Sequence, residues 1–268
     1  MRAFGWLKSL PEGESAPSRP AALWLLGAAL LLWPIDTALT RYGNTQWQTY
    51  AYDDHGMRVQ TVARPLWVGL ARLGVGALAA AVLVASGRVS RRDLGLTLGR
   101  PRVTLFWVGF PLAVMTGAGV VGLAGAGLLV RATGWAVPPE WLEPYAVFAP
   151  ALTGRVAWEY CVIAPLVEEL LYRGVPLQAL ERVWGRGWAV VLGGAIWAGM
   201  HLAGGHPPAR APLYFLLTGA LFAWAYLKSR SLVTTVLLHA AANLAVPVGT
   251  DLALLYHRDA IGRLLDPG

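Results

Sequence analysis

One stretch constrains this chain more than any other: Pro165-Leu166-Val167-Glu168-Glu169-Leu170-Leu171-Tyr172-Arg173. It sets two adjacent carboxylates and a guanidinium inside a largely apolar segment, 151–180. In lipid each such group costs about 2.5–3.5 kcal/mol at a helix centre, so three together imply a use. Residues four apart share a helix face, which lets Glu169 and Arg173 neutralise each other. Glu168 is then expected to point elsewhere, unpaired, with Tyr172 on its own face. A carboxylate without a cation in low dielectric becomes a proton acceptor near neutrality, and this makes Glu168 the candidate for chemistry.

Composition says where that helix lives. Of 268 residues 56% are hydrophobic and 14% charged, with 13 tryptophans, which points to a membrane protein rather than a soluble globule. The net charge of +7 comes from arginines in short runs between apolar stretches, so phospholipid head groups rather than nucleic acid are the expected partners. A single cysteine, Cys161, excludes an intrachain disulfide and any multi-cysteine metal site.

The expected fold is all-α, a multi-pass transmembrane bundle of about seven to eight helices with the site inside it. Residues 1–20 read as a polar N-terminal tail, and a cleaved signal peptide is not expected. Apolar stretches follow at roughly 21–40, 65–86, 103–130, 151–180, 188–203, 211–227 and 231–248. The domains expected are three N-terminal transmembrane helices within 21–130, a catalytic core at 151–248 and a C-terminal tail at 249–268, lying along the surface. Residues 41–64 read as a polar outer loop, and Trp135, Trp141 and Tyr145 as an interfacial belt. With the N-terminus inside, the connecting segments carry twelve Lys and Arg on the inner side against seven outside, so a cytoplasmic N-terminus is expected.

Three further polar residues interrupt later apolar stretches. His201 follows Trp197 by one turn, and His239 and Asn243 are again four apart. Small residues flank both histidines and let helices approach closely. Packed together, these segments make a hydrated pocket. A carboxylate aided by a histidine produces a water nucleophile, and a second histidine with an amide stabilises the resulting oxyanion.

In order and spacing, Glu168-Glu169-x-x-x-Arg173, then Trp197-x-x-x-His201, then His239-x-x-x-Asn243 resemble the CAAX-processing and bacteriocin-processing proteases. These are intramembrane proteases of the glutamic type. The resemblance covers roughly 150–248. It implies Glu168 and His201 as water activators and His239 and Asn243 as oxyanion stabilisers; it places Glu169 and Arg173 in the first motif, where their helical spacing reads as a positioning pair. It also implies a membrane protein or peptide substrate cut near a C-terminal tail or leader, and, through bacterial relatives, a place in the bacterial inner membrane. Trp197 stands where the family usually has Phe; with Tyr172 it is expected to shape the substrate pocket.

Blander readings stand beside these. Taken singly, Glu168 is a buried acid and each histidine is interhelical glue. His55, His206 and His257 read as solvated, and Arg155 with Glu159 as another helix pair. Asp36 and Arg72 read as charges that snorkel. Cys161 reads as inert packing rather than a nucleophile. No metal or other cofactor is firmly expected: zinc is conceivable from two His and two Glu, yet no H-E-x-x-H helix occurs and Asn243 is a poor ligand. The competing functions are a proton-coupled transporter, which would show internal pseudosymmetry, and a non-catalytic peptide-binding immunity protein.

Overall fold

The computed structural model describes residues 17–46, 48–52, 58–62, 66–133, 158–203 and 215–245. The tail before residue 17, Arg155, the aromatic segment 135–150, His55, His206, His257 and the C-terminal tail lie outside the described residues.

Helices dominate. α1 spans Arg19–Gln46, α2 Leu66–Ala85 and α3 Pro101–Thr133. α4 runs in three parts, Glu159–Ile163, Ala164–Glu169 and Leu170–Gly174. α5 spans Leu177–Ala203, α6 Leu216–Ser229 and α7 Leu232–Ala245. The expected polar loop between α1 and α2 instead holds an antiparallel hairpin, β1 Gln48–Tyr52 paired with β2 Arg58–Val62, with Gln48 opposite Val62 and Tyr52 opposite Arg58. Both segments are rich in β-branched or aromatic residues, which suit a pleated backbone better than a loop.

Alongside an apolar core, many large apolar side chains are exposed and several charges are buried. Leu30, Leu31, Leu78, Val82, Leu105, Trp188 and Leu237 are exposed, while Asp36, Arg72, Glu169, Arg173 and His239 are buried. Among the described residues, two helical segments are long and apolar enough to cross a membrane: Arg19–Tyr42, with 24 residues, and Trp67–Ala85, with 19. Leu232–Ala245 is apolar but shorter.

α4 lies at the centre, packed on α1, α2, α5 and α7, and its two ends are widened turns. Proline explains the first. In the widened turn the Ala164 N–H bonds to the Glu159 carbonyl, five residues back. Pro165 has no N–H to continue the pattern, so it cannot donate to the next carbonyl, that of Tyr160. At the second turn the Val175 N–H reaches Leu170 O at 2.9 Å, again five residues back, just ahead of Pro176. Such single widened turns are frequent at functional sites.

α5 contradicts the expectation of a connecting loop at 181–187. It is helical on both sides of one residue, Gly185, whose φ of 81° and ψ of 167° redirect the chain. A left-handed φ is open to glycine and strained for other residues, so the bend needs no loop. Beyond it, α5 and α6 approach closely. A Cβ at Gly194 would lie 2.8 Å from Leu216 O, and one at Gly219 would lie 2.7 Å from the Trp197 Cβ. That contact fixes Trp197 against α6.

Candidate active site

The two carboxylates of α4 face different neighbours. Glu169 is fully buried, and its Oε1 accepts from Arg173 Nη1 at 2.9 Å. The same oxygen meets His239 Nδ1 on α7 at 2.9 Å. The spacing of four therefore makes the expected ion pair, and a histidine from a distant helix completes it. The Arg173 guanidinium lies 4.1 Å over the Trp197 ring and 5.3 Å from that of Phe222. Aromatic faces hold a cation by their quadrupole, which suits a guanidinium that is only 1% exposed.

Glu168 corrects one expectation. It is not unpaired: Arg72 Nη2 on α2 approaches its Oε1 at 3.5 Å. Its other oxygen, Oε2, faces His239 Nε2 at 4.0 Å. Asp36 and Arg72 correct another, because neither snorkels. Each is 4% exposed, and they form a two-point pair, Nε to Oδ1 at 2.6 Å and Nη2 to Oδ2 at 3.1 Å. A guanidinium fork matches a carboxylate in this geometry, and pairing offsets the cost that sends an isolated charge toward the interface. Tyr172 does lie on the Glu168 side of α4: its hydroxyl donates to Asp36 Oδ2 at 3.2 Å.

Aromatic rings tie the remaining residues in. Trp197 is edge-on to Tyr172 at 5.4 Å and to His239 at 5.4 Å, and lies 4.4 Å from His201. His201 Nδ1 donates to Trp197 O at 2.9 Å, which in the neutral ring makes Nε2 the acceptor. His201 also stacks on Phe215 at 4.1 Å. Asn243 Nδ2 donates to Tyr160 O at 2.8 Å, meeting the carbonyl that Pro165 cannot serve. One of the two amide hydrogens is used there. Cys161 is a free thiol in the first widened turn.

Glu168, Glu169, Tyr172, Arg173, Trp197 and His239 thus form one contiguous set. His201 joins through Trp197, and Asn243 lies one turn beyond His239, anchored to α4. Sequence reasoning missed the contribution of α1 and α2. The signal for it was a charge in each of two spanning helices, Asp36 and Arg72, of opposite sign.

Electrically the set is nearly balanced. Asp36, Glu168 and Glu169 oppose Arg72 and Arg173, so it becomes neutral when His239 holds a second proton. Glu169 and His239 Nδ1 are bonded to each other, each carboxylate has a guanidinium beside it, and among the described residues no three His, Cys, Asp or Glu side chains converge as ligands.

Residues 150–245 match the family model described as Type II CAAX prenyl endopeptidase Rce1-like. That segment belongs to the Rce1-like family. It runs from α4 through α7 and holds every site residue above except Asp36 and Arg72. By that match the segment is similar to a membrane-bound hydrolase domain of the CAAX-endopeptidase type. No match was found among curated proteins or among solved structures.

Proposed function

We propose that this chain is a multi-pass intramembrane endopeptidase that cuts a C-terminal tail or leader of a membrane-associated protein, without a metal. The observation that carries the reading is the placement of His239 between two carboxylates. Glu169 holds Nδ1 at 2.9 Å while Nε2 faces Glu168 Oε2 at 4.0 Å. That gap exceeds a hydrogen bond and is within reach of one water bonded to both atoms.

The chemistry follows from the charges. As a water oxygen attacks the scissile carbonyl carbon, Glu168 Oε2 takes up its proton, aided by His201. The carbonyl becomes an oxyanion. His239, charged and oriented by Glu169, donates to it from Nε2, and Asn243 offers its second amide hydrogen. Glu168 then returns the proton to the amide nitrogen as the C–N bond breaks, leaving a new carboxyl and a new amine. Donors fixed in a low-dielectric site stabilise such charge more than water can. Arg173, held over Trp197, keeps Glu169 in place; Trp197 and Tyr172 form the wall of the pocket.

The exposed apolar rings and buried charges support a bilayer as the solvent. The arginine-rich segment 88–102 supports a cytoplasmic N-terminus in a bacterial inner membrane. The three helices at 21–130 brace a catalytic core at 151–248. The test is to replace the gene by a Glu168→Gln version and compare membrane-associated proteins by mass spectrometry. Uncut precursors accumulate if the reading holds; unchanged processing by a folded variant refutes it.

A further inference from the structure

Outside the Rce1-like segment, α1 and α2 deliver one built charged feature to the site. Arg72 is held at two points by Asp36, and Asp36 also accepts from the Tyr172 hydroxyl. A tie between two helices needs only the Asp36–Arg72 pair. Yet Arg72 Nη2, the nitrogen bonded to Asp36 Oδ2, also approaches Glu168 Oε1 at 3.5 Å. The contact falls on Oε1, while the Glu168 oxygen placed 4.0 Å from His239 Nε2 is Oε2. With Oε1 engaged by Arg72, Oε2 is the oxygen turned toward His239 Nε2. Tyr172, one turn along α4 from Glu168, fastens the same face of that helix to Asp36 and so sets the height of α4 against the pair.

We propose that Arg72, clamped by Asp36 and Tyr172, is a positioning residue that holds one oxygen of Glu168 so that the other faces His239. This rests on the reading of Glu168 as the proton acceptor. It assigns the N-terminal helices a part in substrate turnover that is independent of holding the bundle together. The guanidinium matters for its fork as well as its charge, since an ammonium is a compact point charge without the planar pair of donors that matches Asp36 at two points.

The test needs no substrate in its first arm. The full chain in liposomes is exposed to dicyclohexylcarbodiimide, a carbodiimide that modifies carboxyl groups in membranes and reacts slowly with ion-paired ones. The Glu168 adduct is followed by peptide mass spectrometry, with Glu168→Gln as the blank. Asp36→Asn combined with Arg72→Gln keeps a hydrogen-bonding pair between α1 and α2 but removes the cation. That double variant is expected to keep its thermal midpoint and to label Glu168 faster, by about tenfold. Arg72→Lys is expected to fall between it and the native chain. A folded double variant that labels at the native rate overturns the proposal. Should the double variant not fold, Arg72→Lys decides alone: native-rate labelling overturns the proposal and faster labelling upholds it.

The second arm uses a farnesylated peptide ending in a CAAX tetrapeptide. Misplacing the acceptor is expected to lower kcat of the double variant by up to about a hundredfold with KM little changed. A rise in KM alone contradicts positioning. If Glu168→Gln cleaves the peptide like the native chain, the hydrolytic reading of Glu168 fails, whereas the labelling arm still reports whether Arg72 holds that carboxylate.

Discussion

Two clusters of acids and arginines stand on the α4–α5 region, and they differ in kind. At the rim, Glu181 pairs with Arg186 Nε at 2.9 Å and with Arg230 Nη2. Arg186 is 38% exposed there. At the centre, Glu168 and Glu169 meet Arg72 and Arg173, all but Glu168 almost fully buried. Both clusters neutralise charge. Only the central one includes an imidazole, and only there does a second carboxylate face it. Glu181 between two guanidiniums has no group beside it, among its described ion pairs, that changes charge near neutral pH. The contrast separates charge that only fastens elements together from charge that, in the proposed reaction, moves a proton.

The contrast is broken most forcefully at Arg173. In Arg173→Met, Glu169 keeps only His239 as a described partner, on a side chain that is fully buried. Removing one member of a buried pair costs about 3–5 kcal/mol, which thermal unfolding in detergent would register as a large fall. A small change would mean that Arg173 contributes little to the buried centre. Next in size is Gly219→Ala. Its new methyl would meet Trp197 at 2.7 Å, and overpacking of this kind costs about 1–3 kcal/mol. Turnover should fall with stability, because Trp197 touches Tyr172, Arg173, His201 and His239; unchanged turnover would detach the tryptophan from the site. The smallest effect belongs to the rim. Arg186→Gln is expected to cost about 0.5 kcal/mol or less, as exposed pairs do, with cleavage unaltered. A turnover loss there would erase the distinction between the clusters.

Much of the centre was legible because it is local. Glu169 with Arg173, and His239 with Asn243, are four apart on single helices, and helical geometry alone puts each pair on one face. The division of α4 into a Glu168–Tyr172 side and a Glu169–Arg173 side follows from the same rule. What was not legible is tertiary. Asp36 and Arg72 are 36 residues apart on different helices, so nothing in their spacing announces that they meet each other or Glu168. The partner of Asn243 was hidden for another reason. It depends on a missing N–H at Pro165, in a turn whose widening a 3.6-residue period does not reveal. The bend at Gly185 was hidden likewise, since one glycine in an Arg-Gly-rich stretch reads equally well as a loop. The hairpin at 48–62 is hidden by its polar residues, which read as a loop although both strands are rich in β-branched or aromatic residues.

The account rests on Glu168 as the group that takes a proton from water, and one measurement reaches it most directly. Purified native and Glu168→Gln proteins, matched for thermal midpoint in the same liposomes, are given the farnesylated CAAX peptide and the release of its C-terminal residues is timed. The amide keeps the shape of the acid but cannot accept that proton, so the rate should fall by about a hundredfold to ten-thousandfold. A folded Glu168→Gln protein releasing product at the native rate would contradict the account.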